Sequence, residues 1–354
     1  MRVLITGGAG FIGQHLARRL VASGHTVTAF DILTEQVHQD AADSAARFPG
    51  AVIRGDVSLE SDWLQLASHD AIVHLAAETG TAQSMYEANH YRRVNVGGTQ
   101  LAAVWAVRWG VPIVALSSRA VYGEGLVLPG TELVRSGLDG GRDGNLVPSN
   151  EDDVHHPLSV YGETKSEGEK ILAAATAGLV PVSIMRPQNV IGYGQALHNP
   201  YTGVLAAFLA RLKEGRELSL YGDGSQTRDF VHVEDLSELI DWCLNNDPSF
   251  NEPPRVLNCG TGVRTSLLQL AQYAIEASPN GNAAISHLDV KRAGDIEHAC
   301  ADLTRLGTFS APFPRWTTRN AIADFIRLSW HENGADSIIW DHALEDLVER
   351  GLTT

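Results

Sequence analysis

Short apolar runs and longer amphipathic stretches alternate through the first half of the chain. The runs at 3–6, 26–30, 52–54, 71–75, 112–117 and 182–186 read as buried strands. Helical spacing fills most of the gaps, most clearly at 88–109 and 159–177. Strands that alternate with helices predict a parallel sheet covered on both faces, an α/β doubly wound architecture. Beyond residue 189 the regularity loosens. Helical patterns at 202–213, 233–245 and 266–277 alternate with short runs such as 218–221 and 255–257. This predicts a smaller C-terminal lobe that closes over a ligand, with some segments returning to the large sheet. The expected division is 1–188 plus about 229–258 for the sheet domain, and about 189–228 plus 259–354 for the ligand-facing lobe. One stretch, 126–153, is long and rich in Gly and polar residues, notably 137–144. Such loops are functional lids or mobile surface excursions.

In a doubly wound sheet, ligands bind beyond the carboxyl ends of the strands. After the first strand stands Gly7-Gly8-Ala9-Gly10-Phe11-Ile12-Gly13, followed at once by a helical pattern. Strand, tight Gly turn and helix start form the context of a dinucleotide-binding turn, here spaced Gly-x-x-Gly-x-x-Gly. The glycines allow close backbone approach to a pyrophosphate, and the helix N-terminus offers N–H groups and a positive dipole end. The second strand runs to Asp31, an acid placed to accept from ribose hydroxyls and to repel a 2′-phosphate. The fold class is therefore a Rossmann-type sheet. Asp56-Val57 after the third strand, Leu75-Ala76-Ala77 at the end of the fourth, Ser117 to Gly123 after the fifth, and Pro187-Gln188-Asn189 after the sixth converge on the same ligand face.

Tyr161 and Lys165 stand in Tyr-Gly-Glu-Thr-Lys on the predicted helix at 159–177. Positions i and i+4 share a helix face, so phenol and ammonium lie side by side. A neighbouring cation favours the phenolate and lowers the tyrosine pKa, which makes a general acid/base near neutral pH.

Composition narrows the partners. With 354 residues, 44% hydrophobic and 19% charged, the chain supports a sizeable core. A formal charge of −15 argues against a nucleic-acid surface and against anionic membranes. Cys243, Cys259 and Cys300 are odd in number and lack metal or redox spacing. The histidines show no metal-ligand spacing either, so no metal is expected. Neither a leader pattern nor a membrane-length apolar run is seen, so the cytoplasm is the expected compartment.

Taken together, Gly7, Gly10, Gly13, Asp31, Ser118, Tyr161 and Lys165 resemble the extended short-chain dehydrogenase/reductase superfamily, and within it the NAD-dependent nucleotide-sugar epimerases and dehydratases. The likeness extends over nearly the whole chain. It includes Asp56-Val57, Asn95 in Arg-Val-Asn-Val-Gly-Gly-Thr, Asn189, the stretch 222–235 with Arg228, and Arg292-Ala293-Gly294-Asp295. The resemblance implies NAD contacts from Phe11, Ile12, Leu75, Ala76, Ala77, Asn95, Gln188 and Lys165 besides the residues already named. It implies that Ser118 bonds the sugar hydroxyl at the reacting carbon, that Tyr161 takes its proton, and that Lys165 supports the phenolate. It places Arg119, Asn189, Arg228 and Arg292 on a nucleoside-diphosphate sugar. It also implies a homodimer built from the helices at 88–109 and 159–177.

The dehydratases of this family carry Thr-Asp-Glu where Ser118-Arg119-Ala120 stands, and its decarboxylases carry a glutamate at Ala120. What is left is 4-epimerisation with NAD recycled. Residues 117–125, 188–190 and 195–203 look like those of dTDP-L-rhamnose 4-epimerases, which interconvert that sugar and its 6-deoxy-L-talose epimer. Two segments depart from them: 126–153 has no Cys-x-x-Cys, and Asn189-Val190-Ile191-Gly192-Tyr193 replaces Asn-Val-Tyr-Gly-Pro. The hexose and the base stay open, with UDP-glucose or UDP-N-acetylglucosamine as alternatives. Two other readings compete: an NAD(P)-dependent 4-ketoreductase of a deoxysugar nucleotide, and a cofactor-sensing binding protein. Asp31 weighs against the first and the intact Tyr161 and Lys165 against the second.

Overall fold

The computed structural model describes residues 1–128, 134–135, 145–201, 203–290 and 295–353. Seven parallel strands form the main sheet: β1 Arg2–Thr6, β2 Thr26–Asp31, β3 Ala51–Arg54, β4 Ala71–His74, β5 Ile113–Leu116, β6 Val182–Pro187 and β7 Arg255–Cys259. Their spatial order is β3-β2-β1-β4-β5-β6-β7. The chain runs outward from β1 to β3, then crosses to the other side of β1 and runs outward again. That reversal opens a crevice at the carboxyl ends of β1 and β4.

The period-2 pattern explains why the sheet is covered on both faces. Val3 and Ile5 of β1 enter one apolar core with Leu16 and Leu20, while Leu4 enters the opposite core with Trp63 and Trp105. The longer helices are α1 Phe11–Ala22, α2 Gly98–Trp109, α3 Val160–Thr176, α4 Val204–Lys213, α5 Val233–Asn245, α6 Leu267–Ala277, α7 Thr318–Ser329 and α8 Ser337–Glu349. On one face, α1 packs beside α5. On the other, α2 packs along α3. The second half of the chain thus returns β7 and α5 to the main sheet. A third apolar cluster, with Phe208 of α4, Leu270 of α6 and Phe325 of α7, forms the core of the smaller lobe.

Two predicted segments differ in detail. The helix expected at 88–109 is interrupted: Ala88–Tyr91 and α2 flank a wider π-helical turn, Arg92–Gly97. Such a turn shifts the helical register without breaking the chain's apolar pattern, so periodicity does not reveal it. The segment 126–153 contributes antiparallel strands Leu126–Leu128, Val134–Arg135 and Asn145–Val147. Its far end is anchored: Ser149 N donates to Cys300 O at 2.8 Å, and Glu151 Oε1 accepts from Asn258 N at 2.8 Å. The Gly-rich residues 137–144 lie outside the described residues.

Candidate active site

A cavity of about 800 Å³ lies between the strand ends and the smaller lobe. Gly7, Gly10, Phe11, Ile12 and Gly13 line one end. Gly7 adopts φ +65°, a left-handed conformation open to glycine at little cost. A Cβ on Gly13 would sit 2.4 Å from Gly8 O, so helix and turn approach this closely only with glycine there. Gly10 caps α1 without a side-chain bond, and the first turn carries no acid. The N-terminal N–H groups of α1 therefore meet the cavity as an anion site. Asp31, 6% exposed, lines the same end. Its carboxylate accepts from Ala9 N at 3.1 Å and Leu33 N at 2.9 Å. A buried His38 stands 3.3 Å away, a partner that no local pattern announces.

Asp56, Val57, Leu75, Ala76 and Ala77 also line the cavity. Gln188 joins them, and its buried Oε1 has no hydrogen-bond partner. A glycine cradle, a free helix N-terminus, an acid at the end of β2 and an orphaned amide oxygen together fit a dinucleotide. Asn95 is different. It is buried behind the wall rather than on it: its Oδ1 accepts from Glu78 N at 2.8 Å, and its Nδ2 donates to Glu78 O at 3.1 Å and Thr164 Oγ1 at 3.0 Å. The π turn aims it there, and in this structure it pins the loop after β4 to α3.

Midway along the cavity stand Ser118, Tyr161 and Lys165. Ser159 caps α3 by accepting from Gly162 N at 3.1 Å, which sets where the helix begins. The Ser118 hydroxyl stands beside the Tyr161 phenol and favours its ionised form. Lys165 Nζ donates to the carbonyl of Leu116 at 2.8 Å. The expected lowering of the Tyr161 pKa by its helical neighbour is not what the surroundings produce. Both side chains keep some exposure to the cavity, but the packing around them is deep. Burial raises the Tyr161 pKa, against the nearby Ser118 hydroxyl and the Arg119 charge, which lower it. Burial likewise lowers Lys165 to about 8, with the Glu169 charge opposing. Desolvation outweighs the i,i+4 cation because Lys165 is turned onto a backbone carbonyl.

Arg119, Asn189 and Arg228 line the next stretch of wall. Arg119 Nε donates to Asn189 Oδ1 at 3.2 Å. Burial, then the like charge of Arg228, lower the Arg119 pKa to about 10. Arg228 is 6% exposed, and its guanidinium bonds the carbonyls of Thr227, Ile296 and Glu297 and the Asp295 carboxylate at 2.7 Å. It is thus held rigidly in the cavity wall. Arg292 lies outside the described residues. Further cavity residues carried no sequence signal. Glu78 Oε1 meets His90 Nε2 at 3.0 Å, and Arg93 donates to His90 Nδ1 at 3.0 Å. An arginine donor at Nδ1 requires the Nε2–H tautomer, so the imidazole donates to Glu78. Trp340 and Leu344 of α8 form part of the wall, and only the fold brings them there. Among the described residues no cluster of His, Cys, Asp and Glu is placed to hold a metal, and no helix is long and apolar enough to cross a membrane.

Known proteins resemble this chain in sequence and fold. The profile of the NAD dependent epimerase/dehydratase family matches residues 3–260. A dTDP-L-rhamnose 4-epimerase of Burkholderia thailandensis is 36% identical over 348 residues, covering 91% of this chain and 93% of its own length. Among solved structures, MoeE5 in complex with UDP-glucose and NAD is 28% identical with a TM-score of 0.74, over 93% of this chain and 98% of its own. DesIV, a dTDP-glucose 4,6-dehydratase from Streptomyces venezuelae solved with NAD, is 25% identical with a TM-score of 0.79, over 96% of this chain and 100% of its own.

Proposed function

The chain belongs to the NAD dependent epimerase/dehydratase family of nucleotide-sugar enzymes, and we propose that within it this enzyme is a 4-epimerase of a dTDP- or UDP-linked hexose. The observation that carries this reading is the loop after β5. Ser118 to Gly123 contains no carboxylate, so this loop brings no second acid or base to the hydroxyl-proton site formed by Ser118 and Tyr161. Glu124, the nearest acid in sequence, is buried and accepts from the backbone N–H groups of Glu297 and His298 at 2.9–3.0 Å. Water elimination needs proton transfers at neighbouring carbons, whereas epimerisation at one carbon needs a single exchanging proton.

Gly7, Gly10, Gly13, Asp31 and Gln188 would hold NAD, with Tyr161 and Lys165 at its reactive end. Bound NAD supplies the acceptor and donor of hydride at the sugar carbon, and its oxidised ring adds a positive charge. The chain's own groups manage the proton. Ser118 orients the sugar hydroxyl, and the Tyr161 phenolic oxygen takes and later returns its proton. Lys165 and Arg119 stabilise the phenolate while that proton is away. Arg119, Asn189 and Arg228 hold the diphosphate, which leaves the hexose free to turn and present its other face. Arg292 is assigned to the same phosphates. The hexose best supported is that of dTDP-L-rhamnose and its C4 epimer, from the Burkholderia thailandensis relative.

The test is to mix the enzyme with dTDP-L-rhamnose, and separately with UDP-glucose and UDP-N-acetylglucosamine, without added cofactor. The expected outcome is equilibration of one C4 pair with no net NADH absorbance. Stoichiometric NADPH consumption on a 4-keto sugar nucleotide, with no epimer from any of the three, would replace this reading with a ketoreductase.

A further inference from the structure

One stripe of α3 grips the end of β5. Tyr161, Lys165 and Glu169 are spaced i, i+4, i+8 and face the same way. Each meets one of three consecutive residues: Tyr161 stands beside the Ser118 hydroxyl, Lys165 donates to the carbonyl of Leu116, and the Ser117 hydroxyl donates to Glu169 Oε1. Glu169 is itself clamped from β6. Arg186, 3% exposed, donates through Nε to Oε1 at 2.9 Å and through a terminal nitrogen to Oε2 at 2.7 Å. The same guanidinium reaches Tyr122 Oη and Glu151 O, both at 2.9 Å, and His155 Nε2 at 2.7 Å. An arginine donating to Nε2 requires the His155 proton on Nδ1, where Ser166 Oγ accepts it at 2.8 Å. The network is closed around Glu169, and no part of it lines the cavity except Ser117.

We propose that Glu169, locked by Arg186, is a positioning residue: it fixes Ser117 so that the adjoining Ser118 hydroxyl faces Tyr161, and it presents its charge one turn from Lys165. The proposal rests on the acid–base reading of Ser118, Tyr161 and Lys165. A buried arginine–carboxylate pair is weak as a stability device, because a well-packed apolar pair of similar volume is often as stable or more so. What an apolar pair could not do is accept the Ser117 hydroxyl and oppose the desolvation of a buried ammonium. Among the described residues, the titratable groups that interact with the Lys165 charge are Glu169 on its own helix and His74 of β4, while Tyr161 stands one turn away on the same helix. Burial holds His74 neutral, its pKa lowered to about 3. Glu169 is therefore the group that supplies negative charge to Lys165, and it is the one that raises the Lys165 pKa.

The experiment uses full-length holoenzyme and the sugar nucleotide it turns over, with Ser117→Ala, Glu169→Gln, the double variant, and Tyr161→Phe in parallel. Each of the first two is expected to lower kcat about tenfold, within the coupling range of groups that share one network, with KM held within about twofold. The double variant should lose less than the product of the single losses. Glu169→Gln should also move the alkaline limb of the pH profile to lower pH, while Ser117→Ala leaves it in place. Should Glu169→Gln fail to fold because Arg186 is left unpaired, Ser117→Ala keeps that pair and decides the matter alone. Wild-type kcat in Ser117→Ala, or a loss confined to KM, overturns the proposal. If Tyr161→Phe stays active, the acid–base reading falls instead. If Tyr161→Phe is dead while Ser117→Ala matches wild type, only the positioning role falls.

Discussion

Replacing Asp229 by Asn should loosen the join between the main sheet and the cavity wall. Asp229 is fully buried. Its Oδ1 accepts the N–H and the hydroxyl of Thr261, each at 2.7 Å, and its Oδ2 accepts Gly262 N at 3.0 Å and Ala301 N at 3.1 Å. All four of these groups donate, and the Cys300 thiol is a weaker fifth donor to Oδ2 at 4.0 Å, so the amide of Asn must turn its NH2 toward at least two donors in either orientation. Facing Thr261 is the cheaper choice, because the hydroxyl can rotate to accept and one backbone N–H is orphaned. Facing Gly262 and Ala301 orphans two. An unsatisfied buried donor costs about 1–3 kcal/mol, and loss of a charged acceptor adds to that. Against this, Asn avoids burying a charge, and burial does push the Asp229 carboxyl above its usual pKa despite the four donors. The net loss should be about 2–4 kcal/mol. At the unfolding entropy usual for a chain of this length, that is a melting-temperature drop of about 3–6 °C.

Function should follow. Asn189 N donates to Asp229 O at 3.1 Å, and Arg228 is the preceding residue, so both cavity residues hang from this point. The substrate KM should rise more than kcat falls. Calorimetric melting of wild type and variant at pH 7.5, followed by steady-state kinetics at 20 °C, reads both effects. A melting shift under about 1 °C would show that the four hydrogen bonds contribute little net stability, and the bonding argument would fail.

Other outcomes are equally specific. Tyr161→Phe removes only the phenolic oxygen and should cut kcat by about 10²–10⁴-fold while NAD stays bound, read by single-turnover assay and by cofactor released on denaturation. Lys165, held near a pKa of about 8, is charged below that value and neutral above it, so kcat/KM should decline as pH rises through about 8; a profile flat to pH 10 would dissociate the lysine charge from turnover. NAD should bind much more tightly than NADP, and Asp31→Ser should narrow the gap; equal affinities for both cofactors in the wild-type apoprotein by titration calorimetry would remove Asp31 from cofactor selection. The chain should sediment as a dimer at micromolar concentration through α2, the π-helical turn before it and α3, whose outer faces carry the exposed Val104 and the Arg92–Glu163 ion pair; a monomer there refutes that interface.

The order of strands and helices was legible because burial on both faces of a parallel sheet writes itself as apolar runs. The glycine turn was legible because its demands are local: Gly7 needs a left-handed backbone, and Gly13 needs room against Gly8. Tyr161 and Lys165 were legible as neighbours because helical spacing alone sets that. Their electrostatics were not. The direction of each pKa depends on how much protein surrounds the group and on where its charge is turned, and only the packed chain sets Lys165 against Leu116 and Tyr161 against Ser118. The same holds for the contacts between distant elements. Glu169 meets Arg186 only because α3 lies across β6, and His38 meets Asp31 only because the chain after β2 folds back. The π turn that points Asn95 at Glu78 changes no apolar period, and Trp340 reaches the cavity from a helix near the end of the chain. Periodicity and spacing report which faces are buried and which neighbours are local; desolvation and long-range pairing are properties of the assembled core, and these decided how the site's charges are arranged.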